Sequence, residues 1–292
     1  MKIFIRNTRC ISRFQLIDGL PAENEGFEEP AYESLLDPRI MRRLSKILKM
    51  GLYTAVATVN DLSHPLDGIV CGTALGCTAD TYAFLMNMIE REEHLLTPTS
   101  FIQSTHNTLA GTLGILLKNH GYNMTWCQRS FSFYGALEDA AQRIRSGQGS
   151  HYLVCAADEM SASVSDIIHH MDLPGRSTLN AEGAAAFTIT SDPGQNAIEI
   201  ESMDIISNDV VSSDSLVGHD SILLNTNPYL RLPEGKNVLN LCTKGRSMID
   251  DAFVLSISFD MLTQAAKQQG SFTKIAVLSG DEQKSSLVRL AV

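Results

Sequence analysis

The sequence predicts an α/β fold in one domain, with strands and helices alternating from end to end. Three observations carry that prediction. HYLVCAA (151–157) and AAAFTIT (184–190) are continuous apolar runs closed off by polar residues, the pattern of strands buried on both faces. The stretches between such runs repeat their apolar residues at three and four positions, the period of a helix with one buried side. No linker of disordered composition and no short repeat divides the 292 residues, which are ample chain for a large core.

Taken in order, KIFIR (2–6) predicts a short strand and the acidic stretch 23–34 a surface loop. A helix is expected from Asp37, because Asp-Pro supplies an N-cap and a first-turn proline. Its apolar residues Ile40, Leu44, Ile47, Leu48, Leu52 and Val56 form one buried stripe. GIVCGTALGC (68–77) reads as a buried strand running into a turn of small residues. Asp80 to His94 has helical spacing through Tyr82, Phe84, Leu85, Met88 and Ile89. A further helix from Asn107 to Lys118 is expected to end at Asn119-His120-Gly121, a left-handed C-cap. Gly111 and Gly114 cost that helix roughly 1 kcal/mol each against alanine, a penalty that signals close packing of another backbone. NMTWCQ (123–128) reads as a strand, and Ser132 to Arg145 as a helix with Phe133, Ala136, Leu137, Ala140 and Ile144 on one side. The C-terminal part adds strands at 197–206, 237–243, 274–280 and 285–292, with a helix near 248–268.

Composition excludes several classes of function. A net charge of −10 leaves no basic face for nucleic acid. No apolar run reaches the roughly 18 residues of a membrane span, and MKIFIRNTRCISRF lacks the apolar core of a secretory signal. Cys10, Cys71, Cys77, Cys127, Cys155 and Cys242 contain no CxxC pair, which favours reduced thiols in a cytoplasmic protein over disulfides or zinc. His169 and His170 are adjacent, so they point to different sides of a helix and predict no metal site. No GxxxxGK[ST] or GxGxxG cradle occurs, which leaves Gly72, Gly76 and Gly111 as packing glycines and predicts no cofactor. Arg42, Arg43, Lys46 and Lys49 recur at helical spacing, either as a solvated helix side or as a contact for an acidic partner.

Four segments resemble the β-ketoacyl synthases of the thiolase fold. CGTALG (71–76) is similar to that family's glycine turn, and STHNTLAG (104–111) to its Ser-x-x-Asn-x-x-Ala-Gly helix start. GYNMTWCQRSFSFYGALEDAAQRIRSGQGSHYLVCAADE (121–159) resembles, without a gap, its nucleophile strand, nucleophile helix and next core strand. NAEGAAAFTIT (180–190) is similar to its Gly-Glu-Gly-Ala segment. The resemblance implies a thiolase-like layered αβαβα fold as a single domain over 1–292. Residues 1–190 correspond to the first half and 191–292 to a shortened second half.

The resemblance also identifies what this chain lacks. The family's cysteine nucleophile opens its helix within Thr-Ala-Cys; the matching position is Ser130, preceded by Gln128 and Arg129, with Cys127 three residues earlier. The family's two catalytic histidines belong to His-Gly-Thr and Gly-His motifs of the second half. The eight histidines here stand at 64, 94, 106, 120, 151, 169, 170 and 219, and none follows His219. TKGRSMIDDA (243–252) keeps a Thr-Lys like the family's but has Ile249 at the histidine's expected place. VLSGDEQKSS (277–286) replaces the Gly-Phe-Gly-Gly loop of the oxyanion site. Condensation and malonyl decarboxylation need groups that stabilise developing negative charge. No catalytic residue is therefore assigned, and Ser130 marks a relic nucleophile position. Lys244 and Asp158 are either a retained ion pair or two surface charges, and His106 makes a structural or interface hydrogen bond.

What the resemblance implies is a catalytically inactive homologue, a chain length factor, that pairs with an active ketosynthase and shapes its acyl tunnel. STHN and RRLSKILKMG are also similar to segments of ketosynthase-like proteins in aryl polyene and flexirubin pathways. In the family the strand before the nucleophile pairs with its counterpart across a two-fold. The corresponding interface residues are Asn107, Gly111, Met124, Thr125, Trp126, Cys127, Gln128 and Arg129. The tunnel wall corresponds to PTSFIQ (98–103), with Thr99, Ser100, Phe101 and Gln103 as the gate that sets chain length. Expected partners are the ketosynthase, as heterodimer or heterotetramer, and an acyl carrier protein reached through it. A competing expectation is a serine-dependent acyltransferase or thioesterase, which would need a positioned base beside Ser130.

Overall fold

The computed structural model describes residues 1–24, 28–60, 62–170, 182–194, 196–211, 216, 220–230, 232–233, 237–241, 249–268 and 272–292. Within it, β1 (Phe4–Ile11) stands near the middle of a ten-stranded sheet. On one side follow β7 (Gly183–Thr190), β6 (His151–Asp158), β4 (Gly68–Gly72) and β5 (Tyr122–Trp126). On the other follow β8 (Ile198–Ser207), β12 (Lys284–Ala291), β11 (Lys274–Gly280), β9 (Ser221–Asn225) and β10 (Val238–Asn240). β1 and β8 pair through Phe4↔Glu199 and Ile5↔Ile198, extended by Ile200 N donating to Ile3 O at 2.8 Å, so two five-stranded halves share a narrow seam.

Helices complete the layers. α2 (Lys46–Val59) and α5 (Thr108–Leu116) cover the outer face of the first half, where Leu48, Leu52, Leu109 and Leu113 pack on Ile69 and Leu153. α6 (Ser132–Arg145) and α8 (Asp250–Gln268) fill the middle layer, and α7 (Ala162–His170) follows β6. Phe133, Leu137, Phe253 and Leu262 share one core there with Val70, Val154 and Phe187 of the first half and Leu224, Val277 and Val288 of the second. Residues 250–259 of α8 are all buried, as expected of a helix enclosed on every side. Leu230 and Leu232 pack on the outer face of the second half, against Leu223, Leu278 and Leu287. The layering is that of a thiolase-like αβαβα fold.

Several expected elements appear with their predicted bounds, notably α6 and β11. Others differ for local reasons. Asp37 does cap α1 (Pro38–Met41), its carboxylate accepting from Arg39 N at 2.8 Å. That helix stops at Met41, and the bonds Arg43 N to Ile40 O and Leu44 N to Met41 O tighten the chain into a turn before α2. The turn breaks the expected single stripe and leaves Ile40 42% exposed. α5 ends at Leu116, because Lys118 already takes the left-handed conformation (φ 51°) that was expected near Gly121. α3 (Thr78–Glu90) stops before His94, with Glu92 and Glu93 at positive φ. A hairpin of β2 (Phe14–Ile17) and β3 (Leu20–Glu23) turns on Asp18-Gly19, both at positive φ; the Asp-Gly pair is a sequence signal for it. The hairpin brings Arg13 and Glu23 together in a buried ion pair of 2.8 Å, and Arg13 also reaches Asp250 at the head of α8.

Candidate functional site

The ends of β4, β5 and β6 converge where the family resemblance places its nucleophile. Gly72 closes β4 against the start of α6, where an added Cβ would stand 2.6 Å from the Ser132 carbonyl oxygen and 2.8 Å from Phe133 Cα. No side chain fits that approach. The chain then turns through Thr73 to Gly76, and Gly76 (φ +65°) lies under the His106 imidazole. Asp158, at the end of β6, holds this turn. Its Oδ1 accepts from Thr73 Oγ1 at 2.6 Å, Ala74 N at 3.0 Å and Leu75 N at 3.0 Å. Asp158 is 1% exposed, so it is not a surface charge, and burial pushes its carboxyl up to about 6 despite those donors. Lys244, its suggested ion partner, lies outside the described residues.

Ser130 sits in a single tight turn, Arg129–Phe131, just ahead of α6. The turn is held by Gln128 N donating to Ser132 Oγ at 2.9 Å and Ser132 Oγ donating to Arg129 O at 2.7 Å. Arg129 pays for the sharp bend with a left-handed backbone (φ 52°). Ser130 is 9% exposed, and among the described residues no hydrogen bond reaches its hydroxyl. Ile249, at the histidine's expected place, is fully buried at the head of α8. Asp251, two residues on, has its carboxyl pushed far up by burial, with the charges of Asp250 and Asp158 adding to the effect. The thiol of Cys127 is also pushed up, first by desolvation and then by Asp158, so it has no thiolate character at neutral pH. The β11–β12 connection is a closed hairpin in which Asp281 Oδ1 accepts from Gln283 N and Lys284 N, both at 2.9 Å. Those amides are used internally and offer nothing to an anion.

A different feature dominates the surface nearby. α3 has no buried residue, an unusual state for a helix of 13 residues. Tyr82, Leu85 and Ile89 are 45%, 45% and 70% exposed. α4 (Pro98–Gln103) adds Phe101 and Ile102, and Phe101 stacks on Phe84 with ring centroids 5.5 Å apart. Ile115 of α5 and Met124 of β5 are also exposed. Among the described residues β5 is the last strand of the sheet, and its outer edge carries no paired strand. Exposed apolar surface on this scale, beside unpaired strand edge, marks a protein-binding face.

The residues expected at an interface fall into two groups. Asn107 and Thr125 lie together, with Thr125 Oγ1 donating to Asn107 Oδ1 at 2.8 Å, whereas Met124, 41% exposed, stands on the opposite face of β5. Gly111 follows Asn107 one turn along α5, its amide donating to the Asn107 carbonyl. Trp126 turns inward instead, its Nε1 donating to Asp139 of α6 at 3.0 Å. Cys127, Gln128 and Arg129 are exposed but stand beyond β5, because the strand ends at Trp126 where the chain bends into the Ser130 turn. Of the gate residues, Thr99 and Phe101 are exposed on α4. Gln103 turns toward the body of the protein, donating to the Arg43 carbonyl at 2.7 Å, and the Ser100 side chain lies outside the described residues. The basic cluster is also divided: Arg42 and Arg43 are exposed, whereas Lys46 is paired with Glu29 and Glu182. Sequence reasoning passed over Asp139, which accepts from Tyr122, Trp126 and Arg143 and so fastens β5 to α6. Its spacing of four residues from Arg143 was the available signal.

Comparison with known proteins agrees with this geometry. Residues 20–213 match the family described as "Beta-ketoacyl synthase, N-terminal domain". No curated protein matches the chain. Among solved structures, the chain is similar to the ishigamide ketosynthase/chain length factor, with a TM-score of 0.80 at 15% identity over 100% of this chain and 99% of that one. It is similar to the ketosynthase ApeO in complex with its chain length factor ApeC from Xenorhabdus doucetiae, at TM-score 0.64 and 14% identity over 100% of both chains. It is also similar to a type II polyketide synthase acyl-carrier protein in complex with its ketosynthase bound to the hexaketide, at TM-score 0.75 and 10% identity over 100% and 99%. At these identities the likeness is one of fold. Among the described residues no helix is long and apolar enough to cross a membrane, and no group of three or more His, Cys, Asp or Glu could hold a metal ion.

Proposed function

The chain belongs to the β-ketoacyl synthase family, and from that membership we propose that it is the non-catalytic chain length factor of a heterodimer with an active ketosynthase. The observation that carries the proposal is the apolar face of α3 and α4, left uncovered among the described residues, beside the outermost described strand β5 and next to a nucleophile position that holds Ser130 in place of cysteine. A helix with no buried residue is covered in the working assembly, and the partner covers it. The pairing buries more than roughly 2,000 Å² in total, the range of obligate interfaces. Asn107, Met124 and Thr125 contact the partner directly, and Cys127, Gln128 and Arg129 extend the contact past the strand. That the similar structures are complexes of ketosynthases with chain length factors supports this reading.

The substrate is the growing polyketide or polyene chain in the partner's tunnel, delivered by an acyl carrier protein that docks on the ketosynthase. The likeness of STHN and RRLSKILKMG to aryl polyene and flexirubin proteins supports a product among conjugated carboxylates. Five described cysteines are free thiols, in keeping with a cytoplasmic location. Among the described residues no base is hydrogen-bonded to the Ser130 hydroxyl, which supports this role over a serine acyltransferase.

Phe101 is the element that stops the chain. It is 59% exposed, backed by Phe84, and free of the protein's own core. In a reconstituted pair, Phe101→Ala shifts the product to longer chains by one or more extension units, read by mass spectrometry of the released acids. An unchanged product distribution rules out Phe101 as the limit.

A further inference from the structure

α3 contributes no residue to the core, so its place depends on the turn that delivers it and on a few polar bonds. An element with few buried contacts opens at low cost in free energy, and its entry turn then decides how well it stays in place. One side chain organises that turn. Besides the three donors on its Oδ1, Asp158 draws Ala74 N to its Oδ2 at 3.1 Å, and Thr73 Oγ1, which donates to the carboxylate, accepts from Gly76 N at 2.9 Å. Thr78 Oγ1 donates to the Leu75 carbonyl, and Thr81 Oγ1 to the Ser104 carbonyl at 2.8 Å, so the turn runs directly into the first turn of α3 and on to α4. The same turn touches the end of β5: Thr73 N donates to the Trp126 carbonyl at 3.0 Å, and Cys127 Sγ to the Ala74 carbonyl at 3.7 Å. A single buried carboxylate therefore governs where α3 starts and how it stands against the edge strand.

We propose that Asp158 is a positioning residue for assembly: its carboxylate fixes the entry turn of α3 and so holds the apolar face of that helix in the arrangement the ketosynthase binds. The inference rests on the chain-length-factor reading above and adds the residue that controls its docking face. It also makes docking sensitive to pH. A carboxylate accepts from Thr73, Ala74 and Leu75 at once, whereas a protonated carboxyl turns a donor of its own toward those donors. Burial has already pushed the Asp158 carboxyl up to about 6. The titratable groups that face it are Cys77 at the entry to α3, Cys127 beyond β5 and Asp251 at the head of α8, all of which burial keeps protonated more firmly than usual. Asp250, beside Asp251, is paired with Arg13.

Because the folded chain holds the Asp158 proton more tightly than the unfolded chain does, the stability this residue contributes is full below the ordinary carboxylate range and is lost as pH rises through about 6. Mild acid thus does not unfold the protein through Asp158. What it removes is the grip on α3, so association weakens as pH falls through about 6. One proton taken up on release of the partner raises Kd about fourfold between pH 7.5 and pH 5.5.

The test measures Kd for an active ketosynthase by titration calorimetry at both pH values, for the wild type and for Asp158→Asn, an isostere that cannot ionise. The variant binds at least tenfold more weakly at pH 7.5 and lacks the fourfold pH-dependent part. Hydrogen exchange of the isolated chains shows faster exchange in α3 of the variant, with α6 protected as in the wild type. A residue that merely stabilises the fold would speed exchange in α6 as well and leave the pH profile of binding in place. Identical pH profiles in the two proteins, or α3 and α6 loosening together, overturn the inference and leave the heterodimer standing. Should Asp158→Asn fail to fold, the wild type decides alone: exchange in α3, corrected for its intrinsic rate, rises relative to α6 from pH 7.5 to 5.5, and an unchanged ratio overturns the inference. If the wild type binds no ketosynthase at either pH, the chain-length-factor reading falls and this inference with it.

Discussion

The double substitution Leu85→Asp with Ile89→Asp is expected to leave the isolated chain folded and to weaken its association with a ketosynthase by about a hundredfold or more. The two side chains are 45% and 70% exposed, and α3 contributes none of its residues to the core, so the monomer loses little. In the assembly each of them loses its water. Burying a leucine or isoleucine contributes about 1.5–3 kcal/mol, and each ~1.4 kcal/mol is a factor of ten in Kd. Two such losses give about 3 kcal/mol before the cost of burying carboxylates is added. Analytical ultracentrifugation with a co-expressed ketosynthase reads the outcome directly. A pair that remains intact at micromolar concentration would remove α3 from the interface.

Gly72→Ala is expected to destabilise the chain by about 3 kcal/mol, a fall in Tm of about 6 °C or more. The added methyl meets the Ser132 carbonyl oxygen at 2.6 Å and Phe133 N and Cα at 2.8 Å. These are backbone atoms at the start of α6, so no rotamer change relieves the contact. The helix must lift from β4, and with it the Ser130 turn. Melting curves of Gly72→Ala and of the wild type measure this. Equal Tm values would mean that α6 is not pinned at that point.

How much of this was legible in the sequence depended on what kind of information each feature needed. α6 was legible to the residue, because Phe133, Ala136, Leu137, Ala140 and Ile144 repeat at helical spacing and the flanking turns are marked by Ser132 and Gly147. The buried strands β6 and β7 were legible as unbroken apolar runs. The break between α1 and α2 was not, since its residues keep the helical period while backbone bonds of shorter span interrupt it. Periodicity on α3 told which residues share a side but not that, among the described residues, Tyr82, Leu85 and Ile89 stay exposed there. Asp158 was undecided between surface and core, because a buried carboxylate is recognised only when the Thr73 hydroxyl and the amides of Ala74 and Leu75 are seen to surround it. The position of Ser130 followed from counting along a resemblance, whereas the left-handed Arg129 before it required the backbone. The stretch 243–248, where the Gly-His motif is missing, lies outside the described residues.

The most direct test is intact mass spectrometry of this chain and a full-length ketosynthase, alone and mixed, after exposure to acyl carrier protein loaded with the acyl starter. The account predicts a one-to-one complex in which the acyl group resides on the ketosynthase cysteine, while this chain keeps its unmodified mass alone and in the mixture. Acylation of the isolated chain, lost in Ser130→Ala, would contradict it.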